Sequence, residues 1–104
     1  MYSSHEIAQI IEYAKLRGIR VIIEIDAPAH SGNGWQWGEQ AGLGKLAVCV
    51  NQQPWRNYCI QPPCGQLNPA NPNVYGVLRD LFQDLIQLLP PGEAFHMGGD
   101  EVSV

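Results

Sequence analysis

Two short stretches of this sequence gather titratable side chains at spacings that could do chemistry. His96-Met97-Gly98-Gly99-Asp100-Glu101 ends in adjacent carboxylates. Neighbouring residues of a strand point to opposite faces, so Asp100 and Glu101 share a pocket only if the backbone turns beneath them. Gly98 and Gly99 permit that turn. Two carboxyl groups held close titrate apart, leaving one as a proton donor while the other is an anion. Taken alone, Gly-Gly-Asp-Glu also describes an exposed turn.

Glu24-Ile25-Asp26-Ala27-Pro28-Ala29-His30 supplies two more carboxylates and an imidazole. Alternation aims Glu24 and Asp26 to one side, where an ionised group inside a fold is costly unless paired. Asp26 and His30 are therefore candidates for the same site. The same residues could instead cap a turn. His5 reads as a helix-start surface residue and His96 as a satisfied interior group. No metal or other cofactor is expected, because the ordered ligand spacings of a zinc site are missing.

These stretches need elements to position them. Ser3-Ser4-His5-Glu6 has the form of a capping box, and Ile7, Ile10, Ile11 and Ala14 repeat at helical spacing up to a stop at Gly18. Arg20 to Asp26 follows as a β-branched run that resembles a strand covered on both faces. A second helix is expected from about Asn73 to Leu89, with an apolar stripe of Val74, Val77, Leu78, Leu81, Phe82, Leu85 and Leu89. Pro90-Pro91-Gly92 ends it. Ala94 to Gly99 then reads as a short strand. Helix, strand, helix, strand means an α/β fold with parallel strands, and two strands cannot close a barrel.

Between the two units lie residues 27–72, rich in Gly, Pro, Asn, Gln and Trp and without clear periodicity. Connections are usually about 4–6 residues, so a loop this long, leaving the C-terminal end of a strand, points to a binding function. Trp35 and Trp37 are read as loop packing.

At 104 residues and 45% hydrophobic the chain has material for a packed core. A net charge of -4 with scattered Lys and Arg argues against a nucleic-acid partner. Neither a membrane span nor a leader is expected within it. It reads as an excerpt of a longer protein, inactive and poorly folded alone. The three cysteines lie without metal-type spacing, so an oxidised loop is expected, with a local Cys59–Cys64 bridge around Pro62 and Pro63 and Cys49 pairing beyond Val104. Three reduced cysteines are the other reading.

The Glu-x-Asp-x-Pro-x-His strand followed by a strand ending His-x-Gly-Gly-Asp-Glu resembles the catalytic barrel of glycoside hydrolase family 20 over the whole chain, residues 1–104. The resemblance implies a partial catalytic domain, the third and fourth strand regions of a (β/α)8 TIM barrel. It implies a β-N-acetylhexosaminidase that removes terminal N-acetylhexosamine from N-glycans or chitooligosaccharides in the secretory pathway. Glu101 matches the general acid/base, Asp100 the residue that orients the substrate's own 2-acetamido nucleophile, and His30 and Asp26 supporting positions. Asn51 to Cys59 and Pro62 to Pro69 are similar to insect members, in which Trp55 matches a subsite aromatic. Where chitin-degrading relatives carry an acidic residue after the cysteine, Ile60-Gln61 stands here, which leans toward N-glycan trimming. The partner is then a β-linked N-acetylglucosamine or N-acetylgalactosamine glycan, with a homodimer allowed for the full-length enzyme. A non-catalytic carbohydrate-binding relative and a metal-dependent barrel hydrolase are the alternatives.

Overall fold

The capping box written into the first residues forms. In the computed structural model, which describes residues 2–103, the elements run α1 (Ser4–Lys15), β1 (Ile23–Glu24), β2 (Ala47–Val48), β3 (Gln66–Leu67), α2 (Asn73–Gln87) and β4 (Phe95–His96). Short 3-10 turns lie at Gln36–Gly38 and Trp55–Asn57. Ser3 Oγ accepts the Glu6 N–H at 3.2 Å and the Glu6 carboxylate accepts the Ser3 N–H at 2.7 Å. Two donors orphaned at a helix start are thereby satisfied. At the other end Gly18 sits at φ +71°, with its N–H on Lys15 O at 3.0 Å and the Ile19 N–H on Ala14 O at 2.9 Å. That is the Schellman pattern, and it requires a residue tolerant of the left-handed region.

The apolar stripe of α1 is only partly buried. Ile11 and Ala14 are inside, whereas Ile10 keeps 44% of its surface exposed. The helix packs along one line, and no other described element covers the Ile10 side.

β1 and β4 pair in parallel with Ile23 opposite Phe95 and Glu24 opposite His96. The ladder continues by one bond, Ile25 N–H to His96 O at 3.3 Å. The strands expected over residues 20–26 and 94–99 are thus regular over two residues each. Among the described residues each has a single neighbour to hydrogen-bond, and Ile22 remains 52% exposed, so the β-branched run is not covered on both faces there. The result is a small α/β unit without a closed barrel. Phe82 of α2 meets Phe95 of β4 edge-on, with ring centroids 5.3 Å apart, which anchors the helix on the sheet. Arg20 binds the Glu93 carboxylate and ties the beginnings of the two strand segments together.

The long connection is an organised unit. β2 and β3 pair antiparallel, Ala47 opposite Leu67 and Val48 opposite Gln66. Leu46, Leu67 and Val74 are buried together, with Trp35, Leu43, Val77 and Leu78 packed around them. Burying such side chains is worth about 1.5–3 kcal/mol each. The asparagines of the segment satisfy its carbonyls: Asn71 Nδ2 donates to Leu43 O at 2.8 Å and Lys45 O at 3.1 Å, and Asn73 Nδ2 to Leu43 O at 3.1 Å. Cys59 and Cys64 form the expected disulfide, and Cys49 is a free thiol among the described residues.

α2 begins after Pro72, which suits a first-turn position because it has no N–H to lose. Val74 is fully buried and the remainder of the stripe is half-buried. The helix stops at Gln87, two residues short of Leu89, as the chain approaches Pro90-Pro91-Gly92.

Candidate active site

Because β1 and β4 are parallel neighbours in register, the chain leaves both at the same edge of the sheet. The loop after Glu24 and the loop after His96 therefore emerge side by side. Gly98 at φ +61° and Gly99 at φ +104° turn the second loop, and Glu101 follows at φ +53°. An added Cβ on Gly98 would lie 2.3 Å from Asp26 Oδ1 and 2.8 Å from Asp26 Cα, so the two loops touch only because no side chain stands there. This is the turn that lets adjacent carboxylates face one place.

His30 Nε2 lies 2.9 Å from Glu101 Oε2, with the two side chains 25% and 36% exposed. One ligand atom each from His30, Asp100 and Glu101 falls within 4.8 Å of the others. The arrangement gives an acid or base on Glu101, a ring nitrogen that shares a proton with it, and a second carboxylate alongside. That is equipment for general acid–base work on a substrate lying across the loop ends. The same three groups are near enough to hold a cation, but two of them already sit at hydrogen-bonding distance from each other.

Both members of the His30–Glu101 contact are non-glycine residues in the left-handed region, at φ +56° and φ +53°. Such a conformation costs about 1–2 kcal/mol per residue and persists where the surroundings enforce it. His30 is held by buried flanks: Ala29 is 5% and Ser31 4% exposed. Ser31 Oγ donates to Asp26 O at 2.6 Å and closes the turn behind the imidazole.

Asp26 lies under the Gly98-Gly99 turn. Its Oδ1 is buried beneath the Gly98 turn with no hydrogen-bond partner among the described residues, and it makes no hydrogen bond to the His30 group. The His96 side chain is 60% exposed in this chain, and Nδ1 accepts the Gly98 N–H at 3.0 Å. It braces the Gly98-Gly99 turn. Its place two residues before the first glycine was the available signal. Glu24 stands 3.3 Å from the same nitrogen and is half-exposed.

Trp55 opens the second 3-10 turn, half-buried, with the Arg56 guanidinium 5.0 Å from its ring centroid. Its carbonyl accepts from the Cys59 N–H at 3.1 Å, so the tryptophan is built onto the disulfide turn. That turn reaches the imidazole: a void of about 30 Å³ is walled by His30, Gly32, Asn33, Pro63 and Cys64.

Comparison with known proteins gives this geometry a lineage. The profile of "Glycosyl hydrolase family 20, catalytic domain" matches residues 1–104. The chain is 52% identical to "Probable beta-hexosaminidase fdl" of Drosophila melanogaster over 103 residues, 99% of this chain and 16% of that protein. It is 43% identical to "Chitooligosaccharidolytic beta-N-acetylglucosaminidase" of Ostrinia furnacalis, again over 99% of this chain and 16% of the relative. Against "Beta-hexosaminidase subunit beta" of Sus scrofa the identity is 35% over 98% of this chain and 17% of the relative. The chain therefore spans about a sixth of the length of the curated relatives it matches. On the match over its full length, the chain belongs to glycosyl hydrolase family 20.

Proposed function

We propose that this chain is the third- and fourth-strand segment of a (β/α)8 barrel and carries the catalytic pair of a β-N-acetylhexosaminidase. The observation that carries the reading is the 2.9 Å contact of His30 with Glu101 beside Asp100 at the ends of two parallel strands. The full-length protein cleaves terminal, β-linked N-acetylhexosamine with retention. Glu101 protonates the glycosidic oxygen and then activates water. Asp100 holds the substrate's 2-acetamido group so that its oxygen attacks the anomeric carbon, which relieves the protein of supplying a nucleophile. His30 keeps the Glu101 proton in line. Asp26, buried beside the turn, holds the loop end rather than touching sugar.

Trp55 offers an aromatic face to the sugar beyond the scissile bond, and Ile60-Gln61 in place of an acidic neighbour favours N-glycan trimming over chitooligosaccharide degradation. The Cys59–Cys64 disulfide supports a secretory compartment. Among the described residues no helix is long and apolar enough to cross a membrane. The pairing of Cys49 with a cysteine beyond Val104 and homodimerisation of the full-length enzyme belong to the same proposal.

The test is Glu101→Gln in the full-length protein with a chromogenic N-acetylglucosaminide whose leaving group needs protonation. Loss of a general acid lowers kcat by about 10²–10⁴-fold. Turnover equal to wild type would remove Glu101 from the role.

A further inference from the structure

We infer that the Gly32–Gly65 backbone crossing, closed from behind by the Cys59–Cys64 disulfide, is a positioning element for His30. The inference rests on the hexosaminidase reading and adds to it the part of the loop that holds the imidazole in place.

His30 occupies a backbone conformation that it does not favour, at φ +56°, so something must hold the residues after it. Ser31 and Gly32 are both buried. The Ser31 N–H donates to Gly65 O at 3.1 Å. On the other side of the crossing the Asn51 N–H donates to Cys64 O at 3.0 Å, so Cys64-Gly65 is gripped between two strands of loop. The chains touch at the glycines: a Cβ on Gly65 would lie 2.3 Å from Gly32 Cα and 2.7 Å from Gly32 N. A Cβ on Gly32 would meet Cys64 O at 3.0 Å, Gly65 Cα at 3.2 Å and Val50 Cγ1 at 3.2 Å. Neither glycine carries a group that could act on a substrate. Whatever they contribute passes through the residue they flank, and the 30 Å³ void between His30 and the Pro63-Cys64 turn leaves room for little more than a water. The disulfide closes a five-residue separation immediately before Gly65 and fixes the inner wall of the crossing.

The two glycines give a graded perturbation. Alanine at position 32 asks its neighbours to yield by a few tenths of an ångström, whereas alanine at position 65 drives one backbone into another. The experiment uses the full-length enzyme with Gly32→Ala, His30→Ala and the double variant, measured on an aryl N-acetylglucosaminide. Gly32→Ala is expected to lower kcat by roughly 10- to 100-fold with KM nearly unchanged. The double variant is expected to be no slower than His30→Ala alone, since a positioning element has no effect once its object is gone. An unchanged kcat in Gly32→Ala, or losses that multiply in the double variant, would overturn the inference. If Gly32→Ala does not fold, Cys59→Ser frees the loop without adding atoms and enters the same cycle under the same criteria. Glu101→Gln run alongside separates the two levels. If it turns over like wild type, the site reading and this inference fall together; if it is slow and the cycle is multiplicative, only the crossing falls.

Discussion

Alanine at position 98 should be far more damaging than alanine at Gly92, a left-handed glycine with open space around it. A Cβ there would sit 2.3 Å from Asp26 Oδ1, 2.8 Å from Asp26 Cα and 3.1 Å from Ile25 O. Two of the three obstacles are backbone, so no rotamer change relieves them. The left-handed backbone at φ +61° costs an L-residue about 1–2 kcal/mol, and overpacking a close contact adds about 1–3 kcal/mol. The sum is a loss of about 2–5 kcal/mol. Gly92 is the internal control: it sits at φ +83° with nothing within 4 Å of an added Cβ, so Gly92→Ala carries only the first contribution. Urea unfolding of the full-length protein with each substitution measures the difference directly. Because Gly98 also aims Asp100 and Glu101, its replacement should lower kcat by about 10²-fold, the cost of misplacing a reacting group by about an ångström. If Gly98→Ala unfolds together with Gly92→Ala and keeps wild-type kcat, the packed turn is not what positions the carboxylates.

Trp55→Ala should raise KM by about three- to tenfold with kcat nearly unchanged, the loss of one stacked ring; a kcat effect without a KM effect would place Trp55 elsewhere than against the sugar. The Glu6 carboxyl is held below its ordinary value of 4.5 first by the Ser3 backbone N–H and then by the Ser3 hydroxyl. A lowered folded-state value means that the capping contribution is present above the carboxylate range and is lost as the pH falls through it. The stability advantage of wild type over Glu6→Ala should therefore shrink on acidification in a urea-melt series, and a constant advantage would contradict the capping box. Dialysis against a chelator should leave turnover unchanged; loss of activity restored by added zinc would favour metal-dependent hydrolysis at His30, Asp100 and Glu101.

What the sequence disclosed was carried by local chemistry. Ser3 and Glu6, Gly18, and the Gly98-Gly99 pair announce a cap, a stop and a turn through residues three or fewer apart. α2 is legible because its apolar residues recur with the helical period. The β2–β3 ribbon is not, because Ala47 and Val48 find Leu67 and Gln66 across a span with two-residue strands, too short to show alternation. The Gly32–Gly65 crossing leaves no local mark either: two glycines far apart in a loop rich in glycine say nothing until the backbones meet. The packing of Asp26 Oδ1 beneath the Gly98 turn is not legible either, because the two loops meet only in the folded chain. His96, expected in the interior, is exposed here because its neighbours on that face are absent from this chain's own packing.

The 71-residue separation of His30 and Glu101 has a consequence for biosynthesis. At about 5–20 residues per second, the ribosome releases the glutamate roughly 4–14 s after the histidine. Gly65 emerges inside that interval, so the loop that packs behind His30 is available before the glutamate that His30 contacts. β4 must then dock beside β1 to deliver Glu101. Glu101 is the last part of the pair to be made, and a nascent chain interrupted before Gly98 holds a placed histidine without its carboxylate neighbour.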